Sequence, residues 1–318
     1  MKTISVMIPC FNECKNIGEM YNRLIKVFET LPTFQYEFIF ADNASTDGSE
    51  QLLRELAQKD EHVKVIINNR NFGSERSCTN AFLQCYGDAV IIIAADLQDP
   101  PELILEFIHY WEDGYKLVLG QKRTTKDTVI IKKSRELYYK IMGKLSENGH
   151  IPNVTGFGLY DKTVMDMLRW LDDPLPYTRG IICDLGYSYY LVQYDKNDRQ
   201  HGKSSFNYYR YIDTAIWGII SSTKKPLRFV TILGFWLSFS AIISLLVNIG
   251  IALLKATSVI YIWASILAVL LGLSILCMGI LAEYIGLIIL KITKRPFTTS
   301  KETINFEKKD TSNKMYGH

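Results

Sequence analysis

The amino-terminal part of the chain alternates short apolar runs with stretches in which apolar residues recur every three or four positions. The apolar runs predict strands at residues 4–9, 36–41, 63–68, 89–95 and 115–120. The periodic stretches between them predict helices at residues 16–31, 49–59, 74–86 and 101–114. Strands that alternate with helices of this length form βαβ units, so we predict an α/β fold with a mostly parallel sheet.

The pattern changes beyond residue 225. Residues 226–254 contain one charged residue, Arg228, and residues 259–290 contain only Glu283. A helix needs about 20 apolar residues to cross a bilayer, and both runs are longer. We therefore predict two transmembrane helices within residues 226–292. A buried helical hairpin of a soluble protein is the weaker alternative.

Basic residues flank the two apolar runs on their outer sides. The flanking residues are Lys224, Lys225, Arg228, Lys291, Lys294 and Arg295. Positive residues stay on the cytoplasmic side of a membrane, so both chain ends and the amino-terminal domain are predicted to be cytoplasmic. We expect a multi-pass protein of the inner or plasma membrane. We expect no signal peptide, because the chain opens directly on a predicted strand.

Charge and cysteine content exclude few classes of protein. The 36 lysine and arginine residues nearly balance 33 aspartate and glutamate residues, giving a net charge of +3. This balance gives no reason to expect a nucleic-acid partner. The six cysteines lack the paired spacing of a metal site, and we interpret them as free thiols in a reducing compartment.

Polar side chains follow each of the first four predicted strands. Parallel strands place their carboxyl ends at one edge of a sheet, where ligands bind in open α/β folds. We therefore predict one polar site at this edge. Its candidate residues are Asn12, Glu13, Asp42, Asn43, Asp47, Arg70, Asn71, Asp96, Gln98 and Asp99.

The segment after the fourth strand is the candidate metal site. Asp96 ends a buried apolar run, and Gln98 lies on the same side of an extended chain. Because Mg²⁺ binds one or two carboxylates together with substrate phosphates, we predict that this pair binds a divalent metal. Asp99 is either part of the site or the cap of the following helix. The stretch STDGS, residues 45–49, is either part of the site or a turn with a helix cap.

These loops resemble those of family-2 glycosyltransferases with the GT-A fold. The closer resemblance is to the membrane branch that moves a sugar from a nucleotide to a polyprenyl phosphate, the dolichol-phosphate mannose synthase and bactoprenol glucosyltransferase type. It covers almost the whole chain. The segments that carry it are IPCFNE (8–13), ADNASTDGS (41–49), RNFG (70–73), ADLQDPPE (95–102) and RQHGKSSF (199–206).

The resemblance, with the hydropathy pattern, implies four regions. Residues 1–203 would form a cytoplasmic, Rossmann-like GT-A catalytic domain. Residues 204–225 would form an interfacial amphipathic helix, although a helix packed on the domain fits their spacing nearly as well. Residues 226–292 would form the transmembrane hairpin, and residues 293–318 a disordered cytoplasmic tail. The resemblance also implies a homo-oligomer, a tetramer packed through the membrane helices.

The resemblance also assigns roles to individual residues. The UDP-sugar donor would be bound by Pro9, Phe11, Glu13, Asp42, Asn43, Arg70, Asp96 and Ser204. Asp96 and Gln98 would hold Mg²⁺ or Mn²⁺, and Asp96, Asp99 and Arg199 would act in catalysis. The lipid phosphate would be bound by Lys122, Arg123, Lys132 and Arg135. The alternative for this basic cluster is a solvated helix face, which would also suit an anionic membrane surface.

The implied reaction transfers a sugar, with glucose or N-acetylglucosamine favoured, from UDP to undecaprenyl or polyprenyl phosphate. It would take place at the cytoplasmic membrane face and supply a lipid-linked sugar for cell-envelope glycan modification. The chain departs from the family pattern at Ala94, Asn43, Ala44, Gly156 and Gly158, and Gly156 replaces the assigned catalytic base. A phosphate monoester has a second pKa of about 6, so this nucleophile needs no base. The alternative is a catalytically impaired nucleotide-sugar-binding membrane protein.

Overall fold

The computed structural model describes residues 1–123, 151, 153–171, 178–198, 260–292 and 298–306, together with residues 232, 236, 239, 240 and 243. The chain divides into two units. The first comprises Met1–Glu136, His150–Asn207 and Arg295–His318, and the second comprises Leu137–Gly149 and Tyr208–Lys294. The predicted interfacial helix at 204–225 and most of the first predicted span at 226–254 lie outside the described residues.

One sheet of eight strands forms the centre of the first unit. The strands are β1 Lys2–Cys10, β2 Phe34–Asp42, β3 Val63–Asn68, β4 Ala89–Ile92, β5 Leu117–Lys122, β6 Val154–Asp161, β7 Tyr189–Tyr194 and β8 Ser300–Ile304. Their order is β7-β5-β6-β4-β1-β2-β3-β8. The first four strands are parallel to one another, whereas β6 runs antiparallel between β4 and β5 and β8 runs antiparallel along β3. The prediction of an α/β fold with a mostly parallel sheet is confirmed.

The described part of the chain contains seven α-helices, six in the first unit and one in the second. They are α1 Cys14–Glu29, α2 Ser49–Lys59, α3 Ser74–Leu83, α4 Ile104–Glu112, α5 Lys162–Leu171, α6 Thr178–Leu185 and α7 Ile260–Ile292, and a 3₁₀ turn at Pro101–Leu103 precedes α4. The predicted elements up to β5 are confirmed, with small shifts of their ends. The fourth strand ends at Ile92 rather than at residue 95, although the backbone N–H groups of Ile93 and Ala95 still donate to β1.

Helices cover both faces of this sheet, which explains why its strands are apolar along most of their length. Successive side chains of a strand point to opposite faces. In β1, Ile4, Val6 and Ile8 join the core that packs against α1 and α4, while Met7 joins the core on the other side with Phe82 of α3. The sheet is therefore fixed from both sides, and its carboxyl edge is a rigid platform.

Strand β8 corrects one prediction. Residues 293–318 were predicted to be a disordered tail, but Ser300–Ile304 pairs with β3 along its free edge. The sequence KETI is too polar to predict a strand, because this edge strand is held by backbone hydrogen bonds rather than by buried side chains. Phe306, just beyond the strand, packs against the core that contains Met7 and Phe82. Residues 307–318 lie outside the described chain.

Helix α7 belongs to the second unit and coincides with the second predicted span. It is 33 residues long. It leaves large apolar side chains exposed, at Leu267, Leu271, Met278, Leu281, Ile285, Ile288, Ile289 and Ile292. Among the described residues, no helix meets the combined requirement of length and apolarity for crossing a bilayer.

Gly158 offers a test of how tightly the sheet is packed. A Cβ atom at this position would lie 2.6 Å from the carbonyl oxygen of Val118 and 3.0 Å from the Cα of Leu119, both backbone atoms of β5. We expect Gly158→Ala to lower the free energy of unfolding by about 1–3 kcal/mol, because strand β6 cannot move away from two neighbours at once. Denaturant titration of the full chain, followed by tryptophan fluorescence, measures the change.

The matched control is Gly18→Ala in α1, where no atom lies within 4 Å of the added Cβ. This variant should raise stability by about 0.5–1 kcal/mol, because alanine loses less conformational freedom in a helix. Equal effects at the two glycines would contradict the steric explanation.

Candidate functional site

The loops that follow β1, β2, β3 and β4 lie next to one another at the carboxyl edge of the sheet. Their strands are neighbours in the order β4-β1-β2-β3, and all run in the same direction. Cys10 at the end of β1 lies directly opposite Asp42 at the end of β2. The structure therefore brings the predicted polar residues of these four loops to one edge.

The first two loops are joined by reciprocal hydrogen bonds. The backbone N–H of Asn12 donates to Ser45 Oγ at 2.8 Å, and the N–H of Thr46 donates to Asn12 Oδ1 at 2.8 Å. The N–H of Glu13 donates to Ser49 Oγ at 3.1 Å. These bonds link groups more than 30 positions apart in sequence, so the two loops behave as one unit.

Asp47 holds the starts of two helices. Its Oδ2 accepts the N–H of Cys14 at 3.0 Å, and its Oδ1 accepts both the N–H and the hydroxyl of Ser49, at 3.1 and 2.6 Å. Burial alone would raise the pKa of Asp47, but the hydrogen bonds from Ser49 and Cys14 outweigh it and lower this pKa. Residues 45–49 therefore form a hydrogen-bonded turn that leads into α2, and the N-cap position of that helix is Gly48, without a side-chain cap.

Asp42 is fully buried at the end of β2. Its Oδ1 accepts the Ser45 hydroxyl at 2.5 Å, and its Oδ2 accepts the Ser45 N–H at 3.1 Å. Burial raises the pKa of Asp42, and the two bonds from Ser45 partly offset that rise. An ionised carboxylate has about four acceptor positions, so two remain on Asp42, although none of this side chain is exposed to solvent.

Asn43 is the centre of an amide network that holds the third loop. Its Nδ2 donates to Asn71 Oδ1, while its Oδ1 accepts Asn68 Nδ2 and the N–H of Phe72, all at 3.1 Å. The family pattern has an aspartate here, which could not donate to Asn71. The asparagine at position 43 therefore allows a hydrogen bond in which the Asn71 side chain is the acceptor. Asn68 was not among the predicted site residues, because it is the last residue of a predicted strand.

Asp96 and Gln98 lie on a sharply turned loop after β4. The N–H of Gln98 donates to Asp96 Oδ1 at 3.2 Å, and Leu97 between them has a φ of 58°. The described residues contain no group of three or more acidic, histidine or cysteine side chains that could hold a metal ion alone. One half-buried carboxylate fits an ion whose coordination is completed by substrate phosphates, as is usual for Mg²⁺.

Left-handed backbone conformations concentrate at this edge. Asn12, Ala44 and Leu97 have φ values of 58–60° and follow β1, β2 and β4, and Asn153, with a φ of 61°, precedes the antiparallel β6. Each such non-glycine residue costs on the order of 1 kcal/mol or more, and such strain collects at functional sites. The surrounding hydrogen bonds maintain these conformations, so the edge is shaped at a cost in stability.

Asp99, Lys122 and Tyr194 form a buried cluster beside the Asp96 loop. Tyr194 donates its hydroxyl to Asp99 Oδ1 at 2.5 Å, and Lys122 Nζ lies 3.7 Å from the same oxygen. Burial lowers the pKa of Lys122, although the charge of Asp99 opposes the shift. The alternative that Asp99 caps the following helix is wrong, because no side chain caps the turn at Pro101–Leu103.

The two glycines that depart from the family pattern have different local causes. Gly158 lies between β4 and β5, where the backbone of β5 leaves no room for a side chain. Gly156 faces open space but has a φ of 99°, a backbone conformation that favours glycine. The family side chain would clash with the backbone of β5 at position 158 and would strain the backbone at position 156.

Four predicted site residues lie outside the described part of the chain. They are Lys132, Arg135, Arg199 and Ser204. Their predicted roles stay predictions. The segment just before Arg199 does approach the site, because the N–H of Asn197 donates to the carbonyl oxygen of Gln98 at 2.9 Å.

The fold and the polar edge define a GT-A-like α/β protein. The sequence profile described as Glycosyl transferase family 2 matches residues 5–166. The chain is 31% identical over 310 residues to the uncharacterized glycosyltransferase YkcC of Bacillus subtilis (strain 168), covering 96% of this chain and 95% of the relative. It is 32% identical over 300 residues to the bactoprenol glucosyl transferase of Shigella phage SfII, covering 92% and 96%.

Two solved structures are similar at lower identity. S. aureus TarS 1–349 in complex with UDP-GlcNAc is 17% identical with a TM-score of 0.45, covering 70% of this chain and 66% of that chain. Glucosyl-3-phosphoglycerate synthase from Mycobacterium tuberculosis in complex with Mn²⁺, UDP and phosphoglyceric acid is 18% identical with a TM-score of 0.47, covering 69% and 77%. From its sequence matches, the chain belongs to glycosyl transferase family 2 and is a glycosyltransferase enzyme.

The role of Asp47 as a shared anchor for two helices can be tested by Asp47→Asn. We expect the variant to lose about 0.5–2 kcal/mol of unfolding free energy near pH 7, the range for removal of a helix cap. Because the folded-state pKa of Asp47 is lowered, its stabilisation is present above the ordinary aspartate pKa and is lost as pH falls through the lowered value. The difference between wild type and variant should therefore shrink below about pH 4.

Urea titrations of the full chain at several pH values measure this difference. The control is Asp113→Asn, an exposed aspartate whose described partner, His109, is 3.8 Å away. A pH-independent difference for Asp47→Asn would contradict the charge-assisted anchoring.

Proposed function

We propose that this glycosyltransferase moves a sugar, glucose or N-acetylglucosamine, from UDP to undecaprenyl or another polyprenyl phosphate. The product would be a lipid-linked sugar for modification of cell-envelope glycans. The observation that carries the proposal is the convergence of Asp42, Asn43 and Asp96 at one edge of a family-2 sheet. The named activity of the Shigella phage relative supports the acceptor class.

The donor would lie across the tips of β1, β2 and β3. Asp42 keeps acceptor capacity, Phe11 is exposed at the tip of the first loop, and Arg70 stacks 4.2 Å from the ring of Phe72. A carboxylate, an aromatic face and a guanidinium are suited to a uracil base and its ribose. Pro9, Glu13, Asn43 and Ser204 complete the proposed donor set.

Asp96 and Gln98 would hold Mg²⁺ or Mn²⁺ on the donor diphosphate. The ion would supply charge stabilisation to the departing UDP. The chain itself shapes this place through the Asp96–Gln98 turn and the bond from Asn197 to Gln98. Arg199 follows Asn197 closely in sequence and is proposed to approach the same phosphates.

The acceptor phosphate would attack the anomeric carbon directly. A new bond forms between its oxygen and that carbon, and the bond from the carbon to the UDP oxygen breaks with its electrons leaving on UDP. The second pKa of a phosphate monoester is about 6, so the nucleophile is already anionic at neutral pH. This chemistry accounts for an active enzyme with glycine at position 156.

Lys122 is the described residue best suited to receive the acceptor phosphate. It ends β5 beside the Asp96 loop, and its side chain is 10% exposed. Asp99 and Tyr194 hold the cluster in place, so we assign Asp99 a positioning part. Arg123, Lys132 and Arg135 are proposed to extend this basic surface.

The membrane part of the proposal rests on the two apolar runs and the basic flanks in the sequence. The exposed apolar side chains of α7 support it. We propose a multi-pass protein of the inner or plasma membrane, with the catalytic domain and both ends cytoplasmic. A homo-oligomer, a tetramer by resemblance, belongs to the same proposal.

A second candidate is a nucleotide-sugar-binding membrane protein without turnover. Ala94 and Gly156, which replace the first metal-motif aspartate and the assigned base, favour it. Measured UDP binding without sugar transfer would distinguish it from the enzyme.

The central test incubates membranes containing the full chain with radiolabelled UDP-sugars, undecaprenyl phosphate and Mg²⁺. We expect lipid-linked label with UDP-glucose or UDP-N-acetylglucosamine. Asp96→Ala should lower kcat/KM by about 100-fold or more, because a charge-stabilising group is lost. The control Asp113→Ala, at the opposite end of α4, should keep full activity.

Absence of labelled lipid with every common UDP-sugar would count against the proposed reaction. Full metal-dependent activity of Asp96→Ala would refute the metal assignment alone.

The acceptor assignment is tested by Lys122→Met. We expect the KM for undecaprenyl phosphate to rise about 10- to 100-fold, the loss typical of one hydrogen bond to a charged group. The KM for the sugar donor should stay unchanged. Steady-state kinetics with each substrate varied in turn measures both constants.

Lys116→Met is the matched control, because Lys116 precedes β5 at the opposite edge and pairs with Asp161 at 3.2 Å. A rise in the donor KM rather than in the acceptor KM would indicate that Lys122 binds the donor diphosphate instead.

A further inference from the structure

Strand β8 continues past β3 onto a loop of the candidate donor site. Beyond the last paired residues, the backbone N–H of Asn69 donates to the carbonyl oxygen of Thr299 at 2.9 Å. Asn69 is the first residue of the loop that carries Arg70 and Asn71. The carboxy-terminal segment therefore contacts the backbone of this loop directly.

The pairing of β8 with β3 is irregular at one point, next to the site. Ile67 pairs with Glu302, but its neighbour Asn68 pairs with Ser300, so Lys301 is an extra residue on β8. Such bulges bend a strand and re-aim side chains. Asn68 is buried, and its Nδ2 donates to Asn43 Oδ1 at 3.1 Å and to Ser77 Oγ at 3.0 Å. The irregularity thus lies directly beside the residue that holds Asn43.

Charged side chains connect β8 to the start of α2, which follows the Asp42 loop. Lys301 Nζ lies 3.0 Å from Glu50 Oε1, and Arg54 bridges Glu50 at 2.8 Å and Glu302 at 2.7 Å. Exposed ion pairs are individually weak, but four alternating charges form a network. Through it, β8 contacts a second donor-site loop by way of the helix that the loop leads into.

The opposite end of β8 is fixed to the same unit. Asn305 Nδ2 donates to the carbonyl oxygens of Ala57 at 2.7 Å and Val63 at 2.9 Å. Lys64 lies 5.6 Å from the ring of Phe306, which packs against the core. The strand is therefore anchored at both ends.

We propose that β8 is a positioning element of the donor site, which sets the loops at residues 42–49 and 68–73 for binding of a nucleoside diphosphate sugar. The inference rests on the proposed function, because it takes the donor to bind at these loops. It assigns a task in substrate binding to a carboxy-terminal segment far in sequence from the catalytic motifs.

The alternative role for β8 is simple protection of a sheet edge against aggregation. An edge cover would change stability and solubility without selectively changing the affinity for one substrate. A positioning element changes the donor KM and the dissociation constant for UDP, and leaves the acceptor KM unchanged. The split between the two substrates therefore distinguishes the two roles.

The experiment compares two truncations of the 318-residue chain. One ends at residue 297 and lacks β8, whereas the matched control ends at Phe306 and keeps it. We expect the shorter chain to show a donor KM and a UDP dissociation constant raised about tenfold or more, since small misplacements of binding groups are costly. Saturating donor should restore most of kcat, and the control should behave as wild type.

A full-length variant covers the case in which the shorter chain does not fold. Glu302→Lys places a like charge beside Arg54, and we expect the donor KM to rise about two- to fivefold. Glu61→Lys, at an exposed position, should have no effect. UDP binding by isothermal titration calorimetry gives a readout independent of turnover.

Unchanged donor KM and UDP affinity in the shorter chain, or in Glu302→Lys where the shorter chain does not fold, would overturn the inference. An equal rise in donor and acceptor KM would overturn it as well. If wild type itself neither binds UDP nor transfers sugar, the proposed function fails first, and this outcome is recognised before any variant is made.

Discussion

The parallel pairing of β1 with β2 on one side and with β4 on the other is the constraint on which the site depends. It places Cys10 level with Asp42, so two polar loops leave the sheet side by side. Because the strands are buried on both faces, their ends cannot drift relative to one another. The contact of Asn12 with Ser45 presupposes this alignment, and the contact of Asn43 with Asn71 presupposes the parallel pairing of β2 with β3.

Several polar residues at this edge serve the architecture rather than the chemistry. Asp47 stabilises the starts of two helices, and Asn43 uses both ends of its amide to hold the third loop. These groups form the walls of the site and leave Asp42 and Asp96 with acceptor capacity. A polar residue in a family motif is therefore not by itself evidence of contact with substrate, and the hydrogen bonds decide which role applies.

The sequence was sufficient for the parts of the fold that follow from hydrophobic periodicity and strand direction. Residues 49–59 and 63–68 form the predicted helix and strand without change, and the shared edge followed from the alternation of strands and helices. Strand β8 could not be predicted, because SKETI contains one large apolar residue and is held by its backbone. The cluster of Asp99 and Tyr194 joins residues 95 positions apart, a contact that no local pattern contains.

The electrostatics of the proposed reaction explain why a buried lysine lies beside two carboxylates. Donor diphosphate and acceptor phosphate are both anionic, and their repulsion grows as water leaves the site. Burial and the neighbouring Lys196 lower the pKa of Lys122, and the carboxylates of Asp99 and Asp96 oppose this shift. Asp99, 3.7 Å away and itself held by Tyr194, favours the charged form. A cation kept in this way can stabilise an arriving phosphate without a large rearrangement, which a lysine free in solvent could not do as well.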